Sequence, residues 1–128
     1  MTEQALWYGL LAIIVLLYIR KLFVNRSIPQ YIPTELQQKL KETSDIVLLD
    51  VRTNQERTSG AIKGSLHIPL HELSRRLDEL SKYKSKEIVC YCATGSRSLS
   101  AAAKLRKVNF SATSLKGGIA EWNFKTRH

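Results

Sequence analysis

Ala5 to Ile19 carries no charged side chain, and after Arg20-Lys21 the apolar pattern resumes with Leu22-Phe23-Val24. Together they make a run of about twenty nearly apolar residues, the length of helix that a bilayer core demands. Burying such a helix inside a soluble fold would take a larger core than the rest of the 128-residue chain provides. Trp7, Tyr8 and Tyr18 lie near the ends of the run, where amphipathic rings settle at a membrane interface. A signal peptide fits less well, because no basic stretch precedes the run and no small-residue cleavage pattern follows it. Arg20, Lys21 and Arg26 follow the span while Glu3 precedes it, which by the positive-inside rule puts the remainder in the cytoplasm. The expectation is a single-pass cell-membrane protein: a transmembrane helix over 1–24, a proline-containing linker over 25–33 and one domain over 34–128.

That domain is basic. Residues 34–128 hold seventeen basic and ten acidic side chains, which is +7 of the chain's net +9. Aromatic residues are not interleaved with the basic ones as a single-strand binder requires, so no nucleic-acid partner is expected. The charge suits a domain drawn to an anionic membrane surface and steering in a small anionic substrate. Cys90 and Cys92 are too close in sequence for an ordinary disulfide, which points to a reducing compartment.

Along the chain, Tyr31-Ile32 suggests a first strand, and Pro33-Thr34-Glu35 opens a helix with Leu36 and Leu40 on one face. Ile46-Val47-Leu48-Leu49 is fully apolar and ends in Asp50, the pattern of a buried parallel strand. A short helix over Thr53 to Thr58, a turn at Gly60 and a brief strand over Ser65 to Ile68 come next. From Pro69, Leu70, Leu73, Leu77 and Leu80 keep helical spacing. The remainder reads as a strand over Glu87 to Tyr91, a loop at Cys92, an alanine-rich helix over Ser98 to Lys107, a strand near Ala112 to Leu115 and a terminal helix containing Trp122. Strands alternating with helices predict an α/β fold, a mostly parallel central sheet with helices on both faces. Sites in such sheets form at the carboxyl ends of strands, where Asp50 and Cys92 both fall.

The chemistry concentrates at Cys92-Ala93-Thr94-Gly95-Ser96-Arg97, where a strand delivers a cysteine into a small-residue loop that opens a helix. Backbone N–H groups in such a turn form an anion-binding nest, and with the helix N-terminus they favour thiolate over thiol. Gly95 permits the positive φ that the loop needs, while Thr94 and Ser96 offer hydroxyls to a bound anion or to the helix as caps. Arg97 has two readings, as a ligand of an anionic donor or as partner of a bracing carboxylate; the first is preferred, since a nearby arginine also depresses a thiol pKa. Cys90 reads as a small buried strand residue rather than a resolving thiol. His67 and His71 read as structural or surface residues, and the spacing of Cys90, Cys92 and a histidine suits no metal site. No cofactor is expected.

Leu48-Leu49-Asp50-Val51-Arg52, Gly60-Ala61-Ile62-Lys63-Gly64-Ser65, Cys92 to Arg97 and Gly117-Gly118-Ile119-Ala120-Glu121-Trp122, in this order, resemble a rhodanese domain over residues 31 to 124. The resemblance implies a rhodanese-like α/β fold and a sulfurtransferase in which Cys92 carries a persulfide, with 92–97 as the active loop. It also implies that Asp50 and Arg52 brace that loop and the sheet, and that Gly117, Gly118 and Trp122 determine the fold. Sulfur would move from a donor such as thiosulfate to a thiol or other nucleophile, the donor and acceptor being small molecules or proteins. The sequence departs from the family's usual pattern at Ala61 and Ala93. Two rival functions follow from the same residues. One is a noncatalytic module that tethers a partner at the membrane. The other is a cysteine phosphatase or arsenate reductase, which would call for a longer loop than the four residues separating Cys92 from Arg97.

Overall fold

The computed structural model describes residues 2–26 and 28–124. Ser27 of the expected linker and residues 125–128 of the expected domain lie outside the described residues. Helix α1 runs from Glu3 to Arg26, and its stretch Glu3–Phe23 is long and apolar enough to cross a membrane by length and composition. Its apolar side chains are exposed from Leu6 to Phe23, so among the described residues nothing covers most of that surface.

The remaining elements are β1 (Gln30–Tyr31), α2 (Pro33–Glu42), β2 (Ile46–Asp50), α3 (Asn54–Thr58), β3 (Leu66–His67), β4 (Glu87–Tyr91), α4 (Ser96–Lys107) and β5 (Ser111–Leu115). The strands form one sheet in the order β1-β5-β4-β2-β3, every pair parallel. Central strands β2 and β4 are apolar throughout because both their faces are covered. Alternation sends Leu49, Ile88 and Cys90 to one face with α4's Ala101, Ala102 and Leu105. Leu48, Val89 and Tyr91 go to the other, against Leu36 of α2 and Trp122.

Several boundaries differ from the sequence expectation. Of the segment expected as linker over 25–33, Asn25 and Arg26 end α1, whereas Ile28 is buried in the core and the Pro29 carbonyl accepts the Ser114 N–H at 3.1 Å beside β1. The helix expected from Pro69 is instead a pair of 3₁₀ helices, Leu70–Arg75 and Leu77–Tyr83, that break at Arg76. Leu70 and Leu73, like Leu77 and Leu80, stand three apart, which suits three residues per turn and lets each short piece aim its own leucine into the core. Finally, α4 starts at Ser96 rather than Ser98, so Ser96 and Arg97 lie in its first turn. The terminal helix is a single 3₁₀ turn over Gly118–Glu121, with Trp122 just beyond it.

Candidate active site

Cys92 follows β4 directly, and the chain reverses from strand into α4 over Cys92 to Gly95. Gly95 stands at the helix N-cap with φ 109°, where an added Cβ would lie 3.3 Å from the Gly117 nitrogen. This left-handed residue turns its own N–H back onto Cys92 Sγ at 3.0 Å. The N–H groups of Thr94 and Ser98 also favour the anionic form of the same sulfur. Ser98 Oγ lies 3.6 Å from Sγ, held in place by donating to the Gly95 carbonyl at 3.0 Å and by Ser114 Oγ at 2.7 Å. Burial pushes the Cys92 thiol up, but hydrogen bonding with the Ser98 hydroxyl and with the N–H groups of Ser98, Gly95 and Thr94 outweighs it. The net pKa falls below that of an ordinary thiol. The start of α4 adds partial positive charge to the same point.

Cys90 is the opposite case. It is buried in the core on the same sheet face, and desolvation drives its thiol far up, which keeps it protonated. Of the loop's other residues, Thr94 and Ser96 have exposed side chains and Ala93 is half-buried. Ser96 does not cap α4, because Gly95 occupies the cap position without a side-chain bond.

In the structure Arg97 is paired with a carboxylate, the second of the two readings its sequence position allows. Its two terminal nitrogens donate to the two carboxylate oxygens of Glu56 at 2.7 and 2.9 Å, a fork-to-fork pair. Arg97 holds the Glu56 carboxyl down to about 2 against desolvation, aided by Thr53. Glu56 has a second task at the start of α3. Thr53 Oγ1 accepts the Glu56 N–H at 3.2 Å, and Glu56 Oε1 accepts the Thr53 N–H at 3.2 Å, a reciprocal cap. The cap fixes Glu56, and Glu56 fixes the first turn of α4.

Beneath this pair lies a buried polar network at the end of β2. Asp50 accepts from Arg52 Nε at 2.9 Å, from Arg52 Nη2 at 2.7 Å and from the Arg52 N–H at 2.9 Å. Arg57 adds a bond to Asp50 Oδ2 at 3.3 Å and two more to the Ser65 hydroxyl and carbonyl, each at 2.7 Å. Ser65 Oγ meets the Tyr91 hydroxyl at 2.8 Å, and that hydroxyl accepts the Ile62 N–H at 3.1 Å. Tyr91 directly precedes Cys92, so this network supports the backbone from which the Cys92 loop departs. The bridge to the upper pair is Arg52 Nη1, which donates to the Glu56 carbonyl at 3.4 Å. The sequence assigned no site role to Arg57, Glu56, Tyr91 or Ser98, and Ser65 entered only as the end of the Gly60–Ser65 motif.

The Gly117-Gly118 turn closes the loop from the other side. The Ile119 N–H donates to the Cys92 carbonyl at 2.9 Å and the Ala120 N–H to the Ala93 carbonyl at 3.2 Å. A Cβ on Gly118 would lie 2.5 Å from the Ala93 carbonyl group and from the Cys92 oxygen, at φ 66°. Gly118→Ala is therefore expected to destabilise the folded chain by about 2–4 kcal/mol, since rigid backbone must give way and the torsion is strained as well. A fall in thermal unfolding midpoint of the full-length protein in detergent checks it.

His67 bonds the Arg52 carbonyl through Nε2 at 2.8 Å, and His71 is exposed, so neither adjoins the sulfur as a base would. Among the described residues, no three His, Cys, Asp or Glu side chains gather as metal ligands. A cleft beside Arg97 is bounded by Thr53, Leu70, His71 and Lys104.

Residues 32–125 match the rhodanese-like domain family. Among curated proteins, a sulfurtransferase of Allochromatium vinosum is 36% identical over 88 residues, 68% of this chain and 80% of its own length. A rhodanese-like domain protein from Staphylococcus aureus superposes with a TM-score of 0.73 at 26% identity, covering 79% of this chain and 97% of that one. A thiosulfate sulfurtransferase from Pseudomonas aeruginosa gives a TM-score of 0.68 at 26% identity, over 76% of this chain and 19% of that much longer one. With its parallel sheet, its nest around Cys92 and a family match spanning the whole domain, this chain belongs to the rhodanese-like domain family.

Proposed function

We propose that the chain is a membrane-anchored sulfurtransferase that carries sulfane sulfur as a persulfide on Cys92. One observation supports this reading above the rest: at the start of α4 the Gly95 N–H donates to Cys92 Sγ at 3.0 Å, with Ser98 Oγ 3.6 Å away, in surroundings that favour the thiolate. In the first step the Cys92 thiolate attacks the outer sulfur of a donor such as thiosulfate. A sulfur–sulfur bond forms to Cys92, the donor's own sulfur–sulfur bond breaks, and sulfite leaves with the electron pair. In the second step an acceptor thiolate attacks the outer sulfur of the Cys92 persulfide, and the Cys92 thiolate departs, restored. Neither step requires a proton to move at Cys92, which suits a sulfur with neither His67 nor His71 beside it. The nest stabilises negative charge on the thiolate before the reaction and on the persulfide after it.

The commitment of Arg97 to Glu56 and the four-residue separation from Cys92 both weigh against phosphate ester chemistry, which needs a wide cradle with an arginine free for the anion. Helix α1 supplies the anchor, and Arg20 and Lys21 at its end favour placement of the domain in the cytoplasm.

Full-length protein in detergent, incubated with thiosulfate, is expected to gain one sulfur atom by intact mass and to lose it to cyanide as thiocyanate. Absence of added sulfur would overturn the enzymatic reading. Retention in membranes after an alkaline carbonate wash checks the anchor separately.

A further inference from the structure

The last turns of α1 pack against α4, and a groove of about 340 Å³ runs between the two helices. Its α4 wall is a single stripe, Ser100, Ala103, Lys104 and Lys107, spaced as one helix face; its α1 wall is Leu17, Arg20 and Lys21. Four cations therefore line the groove and no carboxylate does. Among the described residues, none of the four is in an ion pair. Like charges held together on two packed helices repel, and the arrangement calls for an anion. The same groove opens at Leu17 onto the exposed apolar flank of α1, where Leu10, Ile13 and Ile14 stand free of the domain.

We infer that this groove binds the headgroup of an anionic phospholipid, with the phosphate between Lys104, Lys107, Arg20 and Lys21 and the first acyl carbons against Leu17 and Ala103. This rests on the reading of α1 as a membrane span. A soluble anion would be served by the charges alone; the apolar continuation along α1 is what favours a lipid. The basic side chains reach headgroup level from the end of the span by extending their stems along it. The consequence for the active site is positional. Helix α4 begins at the Cys92 loop and ends at Lys107, so a lipid held by its second half sets the loop within about 18 Å, one length of α4, of the headgroups.

Native mass spectrometry of the full-length protein released from detergent micelles tests this, with phosphatidylglycerol, phosphatidylcholine and soluble sn-glycerol 3-phosphate as probes. Phosphatidylglycerol is expected to bind at least about tenfold more tightly than phosphatidylcholine. The K104Q/K107Q variant is expected to weaken phosphatidylglycerol alone, by about thirtyfold at about fivefold per basic side chain. The charge-matched K63Q/K116Q variant, whose exposed lysines lie outside the groove, is expected to leave it unchanged. Equal affinity for the two lipids, phosphatidylglycerol binding that survives K104Q/K107Q, or displacement by sn-glycerol 3-phosphate at equal concentration would each overturn the proposal. Protein released from membranes by alkaline carbonate would overturn the anchor itself, and the proposal with it; retained protein with no lipid preference overturns only the groove.

Discussion

Cys92→Ser is expected to abolish sulfur loading while leaving the fold in place. Serine is close to cysteine in size, and its oxygen still accepts the Gly95 N–H that now reaches Sγ at 3.0 Å, so the loop has no reason to rearrange. What disappears is the nucleophile. A serine hydroxyl stays protonated at neutral pH and does not attack a sulfane sulfur, so no covalent route remains and turnover falls by about a thousandfold or more. Intact mass after thiosulfate treatment reads the result directly, and an unchanged circular dichroism spectrum shows that the fold survived. Sulfur found on the variant would mean that Cys90 carries it. The burial that raises the Cys90 thiol and the core around it argue the other way.

The same sulfur gives a pH dependence with a definite sign. Only the thiolate reacts, so loading rises with pH through the Cys92 pKa and is flat above it. Because the Ser98, Gly95 and Thr94 bonds outweigh desolvation and lower that pKa, the rise comes at lower pH than for a free thiol. The bracing pair does not blur this profile. Glu56 holds its charge until about pH 2, so its hold on Arg97 persists across the whole range in which Cys92 ionises.

Where the sequence spoke clearly, the signal was local. Cys92 and Asp50 end apolar runs, which marks them as the carboxyl ends of buried strands without any knowledge of their neighbours. Arg52 sits close enough to Asp50 for its guanidinium to curl back onto it, so that pair too is legible at short range. Glu56 was readable only by half. Thr53 and Glu56 spell a helix cap, but the partner that gives Glu56 its second role lies 41 positions away. Tyr91 looked like one more apolar strand residue, because nothing in the strand itself says that its hydroxyl meets Ser65 and Ile62 across the sheet. Ser98 was hidden in the same way within an alanine-rich helix. The glycine pair was recognisable as a turn, whereas the approach of Gly118 to the Ala93 backbone is a property of two loops meeting. The leucine spacing after Pro69 fits a 3.6-residue and a three-residue repeat nearly equally well, which is why it predicted one long helix where two 3₁₀ pieces form.

The other large effect belongs to Asp50. Its carboxylate is fully buried and takes charge from two arginines, one of them also buried, so Asp50→Asn removes the only negative charge among them and leaves the Arg52 guanidinium without its fork. Breaking a buried pair in this manner costs about 3–5 kcal/mol, a large part of the 5–15 kcal/mol that holds a domain of this kind folded. The damage reaches the loop as well, because Arg52 bonds the Gly60 carbonyl at 2.7 Å and the Glu56 carbonyl, and Glu56 holds Arg97. Desolvation alone would raise the Asp50 pKa, but the bonds from Arg52 and Arg57 outweigh it and hold the carboxyl below its ordinary value. A group depressed in the folded state stabilises the fold at pH above its unfolded pKa, and that stabilisation is lost as the pH falls below it. Thermal unfolding of full-length wild type in detergent should therefore weaken as the pH drops through the ordinary aspartate range. Asp50→Asn should start lower at neutral pH and change less over the same interval, since it has no carboxyl there to protonate. Equal midpoints for the two proteins at neutral pH would show that the network does not hold the site together.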